Sequence, residues 1–247
     1  MRFSISMFGL SDMRLTTLVT NTDDSAFAHA RPLDDAKFAA LIAEVRPTWR
    51  CEAFWVCNGE VPADLSAYDG VMITGSPASV LENTQWMQRL ESLVVSILAQ
   101  KIPLFGACFG HQIIAKALGS KIIRNPEGWA HGLIKAKRTA RAAWSGPSDP
   151  LALYGSHIEQ VADLPPGARG LFESPGCPIA GFAIENKVFT IQHHPEMSAS
   201  FIADLVEEYA AHVGPDVTQV ARQSLTRPAN RAEFAAEIAA FFEQGAR

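Results

Sequence analysis

Nothing in the sequence builds a disulfide framework. Four cysteines, Cys51, Cys57, Cys108 and Cys177, lie without regular spacing, and Cys51 and Cys57 stand too far apart for a C-x-x-C redox pair. That usage fits a reducing compartment, so a cytoplasmic protein is expected. No apolar run approaches the roughly eighteen residues that a membrane span needs. After Arg2 the run Phe3 to Leu10 is short and has no small-residue cleavage pattern, so no signal peptide is expected. Basic charge is scarce as well. Lys and Arg total 21 against 26 Asp and Glu, a net charge of −5. A sequence-independent nucleic-acid binder needs a basic face, so neither nucleic acid nor membrane is expected as a partner. A nucleotide-cradling G-x-x-x-x-G-K-[ST] segment is missing, as are internal repeats, low-complexity tracts and a domain-separating linker.

What is present is an ordinary globular composition, 48% hydrophobic and 19% charged over 247 residues. A chain of this length buries about 70% of its surface on folding and needs no metal or disulfide to support its core. Apolar periodicity places a strand at 15–20, a helix at 36–45, a strand around Phe54 to Val56 and another at 70–74. A long helix follows at 83–100, then a strand at 102–105 and a helix at 109–118 with Gly119 as its C-cap. Strands alternating with helices predict an α/β fold of three layers, α/β/α, around a mostly parallel sheet. Beyond residue 120 the pattern changes to short strand-like pieces at 121–123, 133–137, 178–184 and 188–191, which predict a smaller antiparallel region. Glu185-Asn186-Lys187 is the expected hairpin turn. Helices are expected at 198–213 and 231–242, with 214–230 as a loop between them. A single domain over 1–247 is expected, with a core at about 15–210 and a helical extension at 214–247. Residues 1–14 have no assigned role, and Met13 offers an alternative start.

Three segments carry chemistry. In Gly106-Ala107-Cys108-Phe109-Gly110 a cysteine sits between a strand and a helix with glycine on both sides. Such flanking lets the chain make the sharp turn that lifts a nucleophile out of a sheet. The helix start offers free N–H groups and a dipole that favour a thiolate. The competing reading is a buried structural cysteine. Gln192-His193-His194-Pro195-Glu196 supplies a base and, two residues later, a carboxylate to orient it. Alone it reads equally as a metal-site fragment or a surface charge cluster. With the cysteine it completes a nucleophile–base–acid set. Gly70 to Thr74 followed by Gly75-Ser76-Pro77 ends a strand with exposed N–H groups at its carboxyl edge, where ligands bind in such sheets. The N–H groups of Gly75 and Phe109 are candidates for an oxyanion hole.

In this order the three segments resemble the class I, triad-type glutamine amidotransferase family. The family's G-x-C-x-G-x-Q segment is matched by Gly106 to Gln112, and its H-x-E segment by His194-Pro195-Glu196. Further matches are Trp86, Gly128-Trp129, and Ser156-His157 followed by Leu164-Pro165. The likeness spans roughly residues 15–210 and looks closest to stand-alone bacterial members. It implies a flavodoxin-like sheet and a reaction in which Cys108 attacks the side-chain amide of glutamine or a γ-glutamyl amide. His194 would shuttle protons, Glu196 would orient it, and a γ-glutamyl thioester would form and be hydrolysed to glutamate. It also implies that Gln112 contacts the glutamyl part, that Ser76, Ser156 and His157 line the site, and that His193 is a pocket neighbour. One departure stands out. Stand-alone members often carry Glu after Gly-Trp, and here Ala130-His131-Gly132 follows.

Two enzymatic versions follow. The chain is either a glutaminase that hands ammonia to a separate synthase subunit, or a self-sufficient hydrolase of γ-glutamyl amides or peptides. A catalytically idle regulatory subunit is the alternative from another class, and the intact Cys108, His194 and Glu196 argue against it. A cysteine-peptidase-like thiol hydrolase is a third, less consistent with an acid two residues after the histidine. No cofactor is expected. Metal binding needs three or four convergent ligands, and only His193, His194 and Glu196 cluster. His212 reads as a surface residue near a helix end. Cys51, Cys57 and Cys177 read as small core or surface residues.

Overall fold

Strands here begin where apolar runs begin and stop at the breakers that bound them. The computed structural model describes residues 12–245. In chain order it contains β1 (Arg14–Val19), α1 (Ala26–His29), α2 (Asp34–Ala43), β2 (Arg50–Trp55), β3 (Gly70–Ile73), α3 (Gln85–Ala99), β4 (Leu104–Ala107) and α4 (Phe109–Ala117). Then come β5 (Ile122–Arg124), β6 (Ala130–Arg138), β7 (Leu151–His157), β8 (Glu159–Val161), β9 (Arg169–Ser174), β10 (Cys177–Ile184) and β11 (Val188–Ile191). Helices α5 (Ala199–Glu208), α6 (Ala210–Val213), α7 (Pro215–Ser224) and α8 (Arg231–Gly245) follow. The run Phe3 to Leu10 lies outside the described residues. Of the stretch without an assigned role, Met13 is buried in the core and Arg14 starts β1.

Nine strands form one sheet in the order β2-β1-β3-β4-β11-β10-β9-β6-β7, and β5 pairs with β8 in a small antiparallel sheet. The first five neighbours, β2 to β11, run parallel, and the rest are antiparallel. This is the expected three-layer fold. Alternation along the central strands feeds two cores. Val71, Ile73, Leu104 and Val188 face α3 and α4, whereas Met72, Phe105 and Phe189 face α2 and α8. Period-two burial on both faces is what a strand covered by helices on each side requires.

Two expectations are corrected. The stretch 214–230 is not all loop, because Pro215–Ser224 forms α7 with proline in its first turn. Only the small residues Thr218 and Ala221 are buried on it, and its few apolar residues, Val217, Val220 and Ala221, stand among polar ones. The helix expected at 198–213 is divided at Tyr209 into α5 and α6. The antiparallel half also contains β7, β8 and β9, which the sequence reading did not separate. Among the described residues no helix is long and apolar enough to cross a membrane.

Candidate active site

The carboxyl ends of the adjacent strands β3, β4 and β11 bring the three chemistry-bearing segments together. Ile73 pairs with Gly106 and Ile191 with Ala107, so Gly75, Cys108 and Gln192–Glu196 leave the sheet side by side. Cys108 has φ 50 and ψ −106, a strained conformation for a residue with a side chain. Its N–H donates to Ile191 O at 2.9 Å, which continues the ladder through the turn. The flanking glycines are required by space. A Cβ on Gly106 would lie 2.7 Å from the Gly110 carbonyl, and one on Gly110 would lie 2.3 Å from Ile73 O.

His194 is held from two sides. Its N–H donates to Tyr154 O at 2.7 Å, and its Nδ1 lies 2.7 Å from Glu196 Oε1. Both side chains are buried. Burial opposes a charge on His194, but the Glu196 carboxylate and the Cys108 sulfur outweigh it and hold the pKa well above the ordinary histidine value. Gly75 packs against this pair, since a Cβ there would stand 2.7 Å from His194 Cε1 and 3.6 Å from Cys108 Cβ. Thr20 fixes that loop by donating from Oγ1 to Gly75 O at 3.0 Å. Among the described residues neither the Gly75 N–H nor the Phe109 N–H donates to a protein acceptor. Phe109 is further set by its ring, stacked on Trp86 with centroids 5.5 Å apart.

Cys108, Gly75, Ser76, Gln112, Ser156, His157, His194 and Glu196 line one cleft of about 480 Å³. Gln112 does so while already engaged, because its Nε2 donates to Glu159 O at 2.8 Å and to Gln192 Oε1 at 3.3 Å. Gln192 in turn donates from Nε2 toward Cys108 Sγ at 3.8 Å. This Glu159–Gln112–Gln192–Cys108 chain was not foreseen from sequence, where the signal is an amide, Gln192, directly after the apolar run 188–191; the structure buries it fully. His193 lies behind the cleft, fully buried, with its ring 5.6 Å from that of His157. Burial pushes His157 down to about 3 and His193 well below its ordinary value, so both are neutral. His111 is likewise pushed by burial to about 3, and its Nδ1 lies 2.8 Å from Thr190 Oγ1.

The mouth of the cleft was also missed. Phe27, Trp129, Phe201, Tyr209 and the exposed His212 line it, with Asp23 and Lys37. His212, read as a surface residue, has its ring 5.3 Å from Trp129. At the departure from the family pattern, Ala130 opens β6 and His131 is buried beside Tyr209, with ring centroids 6.3 Å apart. Among the described residues no group of three or more His, Cys, Asp or Glu is placed to hold a metal. Cys177 is buried, and Cys51 and Cys57 are half-buried.

Known proteins share this arrangement of sequence and fold. The family model for "Glutamine amidotransferase class-I" matches residues 48–203, more than half of the chain. A Saccharomyces cerevisiae relative described as a glutamine amidotransferase is 36% identical over 136 residues, 53% of this chain and 54% of that protein, so the match spans about half its length. Gamma-glutamyl peptidase 3 of Arabidopsis thaliana is 31% identical over 179 residues, 69% of this chain and 71% of that one. A glutamine-hydrolyzing GMP synthase subunit from Saccharolobus solfataricus is 33% identical over 138 residues, 54% of this chain and 70% of that one. In fold, the chain is similar to a glutamine amidotransferase from Thermotoga maritima, with a TM-score of 0.75 at 21% identity, over 96% of this chain and 99% of that one. The chain belongs to the class-I glutamine amidotransferase family, whose members hydrolyse amides.

Proposed function

We propose that the chain is a Cys108-His194-Glu196 hydrolase of γ-glutamyl amides that works without a synthase partner. Cys108 Sγ attacks the γ-carbonyl carbon, and His194, held by Glu196, carries the thiol proton. The N–H groups of Gly75 and Phe109 receive the oxyanion. The C–N bond breaks, the departing amine takes the proton from His194, and a γ-glutamyl thioester remains. His194 then removes a proton from water, the C–S bond breaks, and glutamate leaves with the thiol restored. Gln112 acts by holding the Glu159 carbonyl and Gln192, and Ser76, Ser156 and His157 bound the glutamyl end of the cleft.

One observation carries the choice of γ-glutamyl amides over glutamine alone. The cleft is about 480 Å³ and is lined by Trp129, Phe201 and Tyr209 as well as by Cys108. Glutamine's leaving group is ammonia, which needs no such room, whereas a larger amine would occupy it. The second reading, a glutaminase serving a separate synthase, is favoured by the likeness to the GMP synthase subunit.

Glutamate release by the purified chain distinguishes them, from glutamine and from a panel of γ-glutamyl amides and peptides, with Cys108→Ala as control. The proposal expects Cys108-dependent turnover of a γ-glutamyl amide well above that of glutamine. Silence on every substrate, with Cys108 still alkylated by a glutamine-like electrophile, would favour the glutaminase role. Full activity in Cys108→Ala would overturn the mechanism.

A further inference from the structure

The outer cleft has a chemical character that the triad does not need. Its walls are aromatic. Trp129 and Tyr209 meet edge to face with centroids 6.4 Å apart, and Phe27 meets Phe201 in the same way at 5.9 Å. Acids stand among them. Asp23 and Glu208 line the same region. Burial raises the pKa of the Tyr209 hydroxyl, and the charges of Asp23 and Glu208 raise it further. Among the described residues no lysine or arginine pairs with either acid, although the His212 ring stands in the same wall, 6.0 Å from that of Tyr209. Glu207 is taken by Arg222, but Glu208 has no ion-pair partner among the described residues. Among the described residues the Asp23 carboxylate accepts only from the backbone N–H of Ser25, at 2.9 Å.

Lys37 is the one lysine or arginine among the described residues that line the cleft. It is already engaged, with Nζ 2.8 Å from Asp34 Oδ1 and 3.7 Å from the centre of the Phe201 ring. What remains for a ligand is a set of aromatic faces, the His212 imidazole and two carboxylates without an ion-pair partner among the described residues. That combination attracts a cation and repels an anion. The region belongs to the same cleft as Cys108, so a group joined to the scissile amide can reach it.

We propose that the outer cleft is a subsite for a cationic leaving group, so that the preferred substrates are γ-glutamyl amides of diamines or polyamines. This rests on the γ-glutamyl reading above. Such an amine is joined through one nitrogen and keeps a second as ammonium, which sits between Trp129, Tyr209, Asp23 and Glu208. A peptide leaving group would bring a carboxylate to the same acids, and ammonia would leave the subsite empty. The ammonium takes no part in bond breaking, so its contribution falls on kcat/KM.

The test compares three γ-glutamyl amides of similar length: that of putrescine (cationic end), of butylamine (neutral) and of γ-aminobutyrate (anionic). One cation–π contact and a part-exposed ion pair together give about a tenfold preference for the cationic over the neutral amide. The anionic amide should be poorer still. In the Asp23→Asn, Glu208→Gln double variant the ratio of cationic to neutral should fall toward one, and added salt should lower it in the parent protein. A parent ratio at or below one, or a ratio that the folded double variant leaves unchanged, overturns the proposal. Failure of the γ-glutamyl reading itself shows differently, as no Cys108-dependent turnover of any of the three. Calorimetric affinities for the Cys108→Ala protein then decide the subsite alone. Tightest binding of the putrescine amide supports it, and equal or reversed affinities overturn it.

Discussion

At the scale of single residues, the site depends on side chains that are absent as much as on those present. Gly75 has an ordinary backbone, yet a Cβ there would stand 2.7 Å from His194 Cε1. Gly75→Ala should therefore keep the melting temperature within a few degrees and reduce kcat/KM by roughly a hundredfold, as a displaced catalytic group does. Comparing thermal unfolding with turnover checks this, and equal loss of both would refute it. Gln192 makes a different prediction. Its amide donates toward Cys108 Sγ and accepts from Gln112. Gln192→Leu removes that donor and leaves the Gln112 amide one partner short. The rate of Cys108 alkylation at a fixed pH should fall several-fold, because the sulfur loses a donor and its neighbouring amide loses an acceptor. An unchanged rate would reduce Gln192 to packing.

At the scale of elements, α7 shows how a mostly polar helix is held in place. It packs on β6 at Gly132, whose φ is +99. A Cβ on Gly132 would lie 2.5 Å from Ser224 Oγ and 2.9 Å from Ala221 Cα, and Ser224 Oγ already accepts from the Leu133 N–H at 2.8 Å. Gly132→Ala should destabilise the protein by about 1–3 kcal/mol through backbone strain and this clash. A denaturant titration measures it. Because β6 follows Trp129 directly, the same variant should also weaken substrate binding at the outer cleft, seen as a raised KM. At the other end of the chain, α8 places Phe234, Phe241 and Phe242 in the core cluster that contains Phe105 and Phe189.

At the scale of the whole molecule, buried histidines set the response to acid. Burial lowers His111 and His157 to about 3, His131 to about 4 and His193 well below its ordinary value. In the unfolded chain each titrates near 6.5. Below about pH 6.5 the unfolded chain therefore takes up protons that the native protein refuses. Each such histidine removes up to about 1.4 kcal/mol of stability per pH unit until its folded pKa is reached. His194 works in the opposite sense. Its folded pKa is raised, so its stabilisation is complete below about pH 6.5 and is lost as pH rises through the folded value. Four depressed groups outweigh one raised group, and the unfolding midpoint should fall steadily from pH 7 to pH 5. His193→Phe removes one proton site from a fully buried position and should flatten that slope. A midpoint constant over this range would contradict the burial argument.

The sequence alone determined the parts whose signals are local. The apolar run Gly70 to Thr74 and the stripe through Trp86, Leu90 and Val94 marked a strand and a helix, and glycines around Cys108 marked a turn that the available space requires. The fold class followed from the order of those elements. Tertiary structure decided the rest. Helix α7 sets Val217, Val220 and Ala221 at helical spacing among mostly polar residues and buries only Thr218 and Ala221, so its apolar signal was too sparse to stand out from a loop. Gln112 is directed to Glu159 and Gln192 because β8 and the end of β11 converge on α4, a fact of sheet order. The cleft mouth gathers Asp23, Phe27, Trp129, Phe201 and Tyr209 from three distant stretches. The candidate catalytic residues could be read because motif spacing fixes their geometry over a few bonds. The surroundings that would choose a leaving group are set by contacts between residues far apart in the chain, and no local pattern carries those.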